Sequence, residues 1–167
     1  MYGSRKMHFA LKRTPEDPSN AIILSFAGEW DVPLRSQEVS VVFRKSGPSA
    51  FVPDQMFAYI AAPVSAITAK MRVESSVFMP IDEAVAYCDA ARLTEDALRE
   101  YAKDYAEVLV FHIADIEPAT KPISRVLLTE QFDFWPSSTY IPLSSTGVAT
   151  LETLGFMRSK KKHVKAH

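Results

Sequence analysis

SQEVSVVFRK (residues 36–45) and MFAYIAAPVSAI (residues 56–67) are the two stretches on which the fold turns. In the first, Val39, Val41 and Phe43 alternate with Ser40 and Val42, which predicts a strand over 38–44. It ends in two adjacent cations, Arg44 and Lys45. The second opens on an apolar strand, Met56 to Ala62, that stops at Pro63. Proline has no N–H for a strand ladder, so the chain turns there before a further strand over Ile67 to Glu74. Upstream, AIILSF (21–26) reads as a short buried strand. TPEDPSN (14–20) and the segment 46–53, with Gly47, Pro48 and Pro53, read as loops. Residues 29–37 are polar around Pro33 and fit a short helix or an irregular turn.

Helical signals begin at Pro80. A proline in the first turn followed by Asp82 and Glu83 suits a helix N-terminus, predicting a helix from Pro80 to Ala91. Thr94 is a good N-cap for a second helix, TEDALREYAKDY, with Leu98, Tyr101 and Tyr105 on its inward face. VLVFHI (108–113) is dense enough for a central strand. Pro118 and Pro122 are expected to bracket a loop, with a short helix over Ile123 to Gln131. An extended segment over Tyr140 to Leu143 and a last helix, Thr146 to Leu154, closed by Gly155, complete the chain. Strands, then a helical pair, then a strand is an α+β order, not the alternation of a doubly wound sheet.

A chain of 167 residues with 47% hydrophobic and 23% charged content is most simply one domain, over 1–157 with a basic N-terminal segment. Residues 158–167 form a basic tail. No apolar run approaches the roughly 20 residues needed to span a bilayer, and no h-region marks a secretory signal, so no membrane partner and a cytoplasmic location are expected. The single cysteine, Cys88, excludes an internal disulfide. The net charge of −1 hides an asymmetry. The ends hold nine of the nineteen cations and no acid, so the body between them carries a net charge of −10. That is no general nucleic-acid coat, and any phosphate binding must be local.

The order of these pieces resembles the ASCH domain, a PUA-like branch of small mixed β-barrels associated with RNA and modified bases. The family's opening motif runs roughly G-x-K-x-x-E/T-x-R, and a later strand ends in a small-small-Pro turn, here Ala61-Ala62-Pro63. Leu98-Arg99-Glu100-Tyr101 before the strand at 108, Pro122-Ile123-Ser124 with Leu127, and Trp135-Pro136-Ser137-Ser138-Thr139-Tyr140 continue the likeness. It covers roughly residues 21–143. The resemblance implies a PUA-like barrel with flanking helices, and a cleft in which Arg44 holds the motif arginine. It also implies that the motif lysine and the following Thr or Glu activate water in hydrolytic members. In that frame Gln37, Val39 and Val42 replace the glycine, the lysine and the Thr/Glu, and two valines cannot move protons.

Candidate ligand or nucleic-acid residues are therefore Arg44 and Lys45, of which only one can face a cleft, with Lys70 and Arg72 on one face of their strand. Trp135 and Tyr140 are candidate stacking rings, with the hydroxyls of Ser137 and Ser138 beside them. Phe132, Phe134, Trp135 and Tyr140 read equally as rings that close the barrel, and Trp30 is ambiguous in the same way. Arg44 has its own plain alternative, a pair with Glu38 or another acid. In the tail, Arg158, Lys160, Lys161, Lys162 and Lys165 either reach for phosphates or fold back on the acidic body. Paired acids at helix starts are explained by the helix dipole, His8, His112, His163 and His167 lack metal-ligand spacing, and Cys88 reads as packing. The sequence implies no catalytic residue, metal or cofactor.

The expected function is thus a non-catalytic module binding RNA, another single-stranded nucleic acid or a nucleoside-like molecule. Two competitors are an amidohydrolase or ribonuclease with displaced catalytic residues, and a protein-interaction domain.

Overall fold

The run AIILSF folds as β1 (Ala21–Phe26), and its alternation serves two cores at once. Ile22, Leu24 and Phe26 point into one layer, and Ala21 and Ile23 into another. A computed structural model describes residues 11–136 and 139–157. After β1 come a single 3₁₀ turn (Gly28–Trp30) and the short helix α1 (Asp31–Arg35), then β2 (Val41–Arg44), β3 (Gln55–Ile60) and β4 (Ala66–Pro80). Next are α2 (Ile81–Ala84) with a 3₁₀ turn over Val85–Tyr87, α3 (Glu95–Tyr101) and β5 (Glu107–Ser124). The chain ends in α4 (Arg125–Phe132), β6 (Tyr140–Pro142) and α5 (Ser145–Gly155).

The six strands form one mixed sheet in the order β2-β5-β4-β3-β1-β6, with β1 and β3 parallel and the other pairs antiparallel. The sheet curls into an open barrel. Its interior collects Ile22, Leu24, Met56, Ile60, Met71, Val42, Leu109 and Phe111, with Trp30, Phe51 and Tyr140 packed at its margin. Outside, α4 and α5 cover β1, β3 and the middle of the sheet through Phe57, Tyr59, Ile67, Leu128 and Leu151. A third layer, Val41, Phe43, Val108, Val110, Ala84, Cys88 and Leu98, lies under α2 and α3. The architecture is the expected α+β barrel with flanking helices.

Several local expectations are corrected. β2, expected over 38–44, begins only at Val41, because Ser40 and Val41 donate their amides to the Ala90 carbonyl. Val39 therefore joins Val42 in the interior, while Val41 and Phe43 face the outer layer. Pro118 and Pro122 do not bracket a loop but lie within β5. Beyond Ile113, whose amide still reaches the Ser40 carbonyl, that strand is paired only with β4, so one edge is free to carry prolines. β4 likewise runs on to Pro80, and the helix expected over 80–91 shrinks to one turn of α-helix and one of 3₁₀. Thr94 does cap α3, accepting from the Ala97 amide at 3.0 Å. Of that helix's expected inward face, however, only Leu98 is buried, and Tyr101 and Tyr105 stay partly exposed.

Candidate ligand cavity at the barrel edge

β2 is an edge strand, and a cavity of about 180 Å³ opens along it. One wall comes from the turn after β1 and from α1 (Phe26, Glu29, Trp30, Leu34) and a second from β2 with Val39. The third comes from the segment Ala91–Leu93 and from α3 (Ala97, Tyr101). The lining is apolar and aromatic except for Arg44 and Glu29.

Arg44 is placed by strand alternation. Val42 goes inward, Phe43 outward, and Arg44 inward again at the point where the barrel is open. Its Nη1 donates to the Phe43 carbonyl at 2.8 Å and its Nη2 to the Ser25 carbonyl at 2.6 Å. The guanidinium lies over the Phe26 ring, 4.7 Å from its centroid. β6 pairs with β1 only as far as Leu24, and the next carbonyl, that of Ser25, receives the arginine. Arg44 thus ties one side of the open barrel to the other. No carboxylate among the described residues pairs with it; Glu38, the expected alternative, pairs with Arg92 at 3.5 Å. Burial pulls the Arg44 guanidinium below its ordinary pKa, opposed only by the Tyr101 phenol. This is a dehydrated cation with carbonyl dipoles but no counter-charge.

Lys45 points the other way, as the strand period requires. Its ammonium sits over Tyr101 (4.7 Å) and Tyr105 (5.5 Å), which accounts for the partial exposure of those rings. Lys70 and Arg72 do not extend the surface around Arg44; they line a separate open depression with Asp54, Gln55 and Asp115. Lys70 pairs with Glu152 at 2.8 Å and Glu117 at 3.9 Å, and Arg72 with Asp115 at 2.8 Å and Glu74 at 3.3 Å. Trp135 is 60% exposed beside a third depression, and its Nε1 donates to Asp133. Phe134 is buried against Tyr59 in the outer layer. Tyr140 packs on the barrel interior. Ser137 and Ser138, like Arg158, Lys160, Lys161, Lys162 and Lys165, lie outside the described residues. Cys88 is buried in the outer layer, and His112 stacks edge-on against Tyr87. Glu29 gave no signal in the sequence, and Tyr101 was read only as the inward face of a helix: the cavity is assembled from segments some seventy residues apart, and no local pattern marks its walls.

The chain superposes on the ASCH protein of Zymomonas mobilis with a TM-score of 0.75 at 22% identity, over 81% of this chain and 96% of that one. The fold is the ASCH fold. A point variant of the same Zymomonas protein gives 0.76 at 21% identity, over 83% and 99%. The N-terminal domain of Staphylothermus marinus McrB shares the ASCH fold's outline more distantly, at 0.55 and 8% identity over 87% and 99%. No family model and no curated protein matches the sequence. Among the described residues no helix is long and apolar enough to cross a membrane.

Proposed function

We propose that this chain is a binding module that holds a nucleobase at Arg44, presented by RNA, another single-stranded nucleic acid or a nucleoside-like molecule. The observation that carries this reading is the unpaired guanidinium. Twenty acids are available in the body of the chain, yet none among the described residues reaches Arg44. A dehydrated cation is costly unless its donors are satisfied, and two carbonyls occupy only two of five N–H groups. An acceptor edge on a planar ligand completes the set, and an arginine fork suits paired acceptors such as those of a base. Phe26, Trp30 and Tyr101 supply ring faces for stacking, and Glu29 supplies an acceptor for ring N–H donors. The cavity is smaller than the roughly 300–1,000 Å³ of drug-sized sites, which suits a single base.

The reading is also non-catalytic. Val39 and Val42, which occupy the lysine and Thr/Glu positions in the motif frame, both line the cavity with methyl groups. The proton-exchanging groups of the lining, Glu29 and Tyr101, do not stand in those two positions. The test is fluorescence anisotropy with short single-stranded RNAs, modified bases included, alongside calorimetry with the four ribonucleoside 5′-monophosphates. Arg44→Ala removes a charge-assisted contact and weakens binding roughly 10- to 100-fold. Equal binding by Arg44→Ala overturns the assignment of the site. Product formation that depends on Arg44 overturns its non-catalytic character.

A further inference from the structure

Half of the twelve described cations are answered by a carboxylate, while Lys12, Arg13, Arg44, Lys45, Lys121 and Arg125 are not. Among the described residues Arg35, Lys70, Arg72, Arg92, Arg99 and Lys103 each have a carboxylate within 4 Å. Arg13 does not, and its surroundings repeat those of Arg44. Its Nε donates to the Ser19 carbonyl at 2.8 Å, and its guanidinium lies 4.4 Å over the ring of Phe51. Each arginine is thus a planar fork, fixed from behind by a phenyl ring and a main-chain carbonyl, with its other donors unspent.

The two forks are linked through β1 and Tyr140. Arg13 and Phe51 line an open groove of about 370 Å³ with Pro48, Ser49, Tyr140 and Pro142. Tyr140 is paired with Leu24, and the next residue, Ser25, holds Arg44 through its carbonyl. Tyr140 therefore stands between the groove and the Arg44 cavity. Trp30, on the far side of that cavity, packs with Phe51 and Tyr140 at the margin of the same core. Cation, ring and cation follow one another along the open side of the barrel.

The geometry points to a second subsite at Arg13, Phe51 and Tyr140 that takes the phosphate and base of the nucleotide adjoining the one held at Arg44. This rests on the base-binding reading of the Arg44 cavity and makes the ligand a strand, not a free nucleoside. A cavity sized for one base leaves the sugar and phosphate at its mouth, where Arg13 is the cation stacked and ready. Stacking on Phe51 and Tyr140 tolerates any base, because every base has a ring face.

The test compares the ribonucleoside 5′-monophosphates with di- and hexanucleotide RNAs, using the full chain, Arg13→Ala, Arg13→Lys and Arg44→Ala, across a salt series. The expected result is that the hexanucleotide binds roughly tenfold or more tightly than a monophosphate. Arg13→Ala abolishes that gain and lowers the log–log salt slope by about 0.7. Arg13→Lys recovers the salt slope but only part of the gain, since an ammonium keeps the charge and loses the fork. Equal affinity for monophosphate and hexanucleotide overturns the second subsite while leaving the Arg44 reading intact. A gain that persists in Arg13→Ala assigns it to other cations and overturns the subsite as well. Monophosphate binding indifferent to Arg44→Ala, or absent altogether, overturns the cavity reading and this inference with it.

Discussion

Arg44, on the edge strand β2, and Lys70, on the inner strand β4, are both half-buried cations of one sheet, and the molecule treats them in opposite ways. Lys70 lies on the outer face beneath α5, held by Glu152 and Glu117 and set over the Phe156 ring at 5.1 Å. Gln55 donates to the same Glu152 carboxylate. That cation is spent: its charge is answered within the fold, and it joins helix to sheet. Arg44 has dipoles and a ring but, among the described residues, no carboxylate within ion-pair distance, in a cavity whose lining holds Glu29. A cation's residue type and strand position do not reveal its role, whereas its partners do. Where every partner is internal the residue is architecture, and the proposed function leaves the remaining donors of Arg44 for a ligand.

The largest disturbance to this contrast is Gly155→Ala, which attacks the frame around Lys70. A Cβ there meets the Ile123 side chain at 2.8 Å and the Lys121 carbonyl at 3.1 Å, so α5 must lift from the sheet that carries Lys70. Overpacking of this kind costs about 1–3 kcal/mol, and each kcal/mol is about 2–4 °C in Tm for a chain of this length. A thermal melt reads it, and ligand binding by the folded fraction is unchanged.

Arg44→Met sharpens the comparison from the other side. Replacing a dehydrated cation with an apolar chain relieves desolvation while losing two hydrogen bonds, so stability in urea moves by no more than about 1 kcal/mol. Binding of RNA is nevertheless lost. A large destabilisation without a binding defect makes Arg44 a staple of the barrel and nothing more.

Lys70→Met gives the converse. A half-exposed ion pair is worth about 0–1 kcal/mol, so the Tm change at neutral pH is small. Its signature lies in acid. Burial raises the Glu152 carboxyl pKa, but hydrogen bonds from Lys70 and Gln55 outweigh it and hold the group below the ordinary glutamate range. A carboxyl depressed in the folded state contributes stability above its unfolded pKa and loses it as pH falls through the folded value. In Lys70→Met that acid-limb loss shrinks, and a urea series from pH 5 to pH 2, roughly, follows it.

Asp17→Asn is the mildest change. Ser145 and Thr146 hydrogen-bond the Asp17 carboxylate at the start of α5 and hold it below its ordinary range. The same sign applies: the wild type loses this contribution as pH falls through the depressed value, and Asp17→Asn has none to lose. Its acid limb is slightly flatter, and nothing changes at Arg44.

What was legible in the sequence followed locality. AIILSF, the Thr94 cap and the helix ending at Gly155 are set by neighbours within a turn or a strand pleat, and each is found where its pattern puts it. The ends of strands were not legible, because Pro118 and Pro122 are tolerated only where β5 has a free edge, and that depends on how far distant β2 reaches. Arg44 could be singled out from the family motif, but its partner, the Ser25 carbonyl, lies just past the last β1–β6 pair because β6 begins at Tyr140. Lys70 and Arg72 looked equally available in sequence, and the acids that answer them lie up to 82 residues away. Arg13 and Phe51 meet Tyr140 across most of the chain, so no window of sequence contains that groove.

The most direct test of the contrast is a parallel titration of wild type, Arg44→Met and Lys70→Met with one hexanucleotide RNA at one salt concentration. The account predicts that Lys70→Met binds as the wild type does, while Arg44→Met is weaker by roughly tenfold or more. Equal losses in the two variants, or a loss confined to Lys70→Met, contradict it.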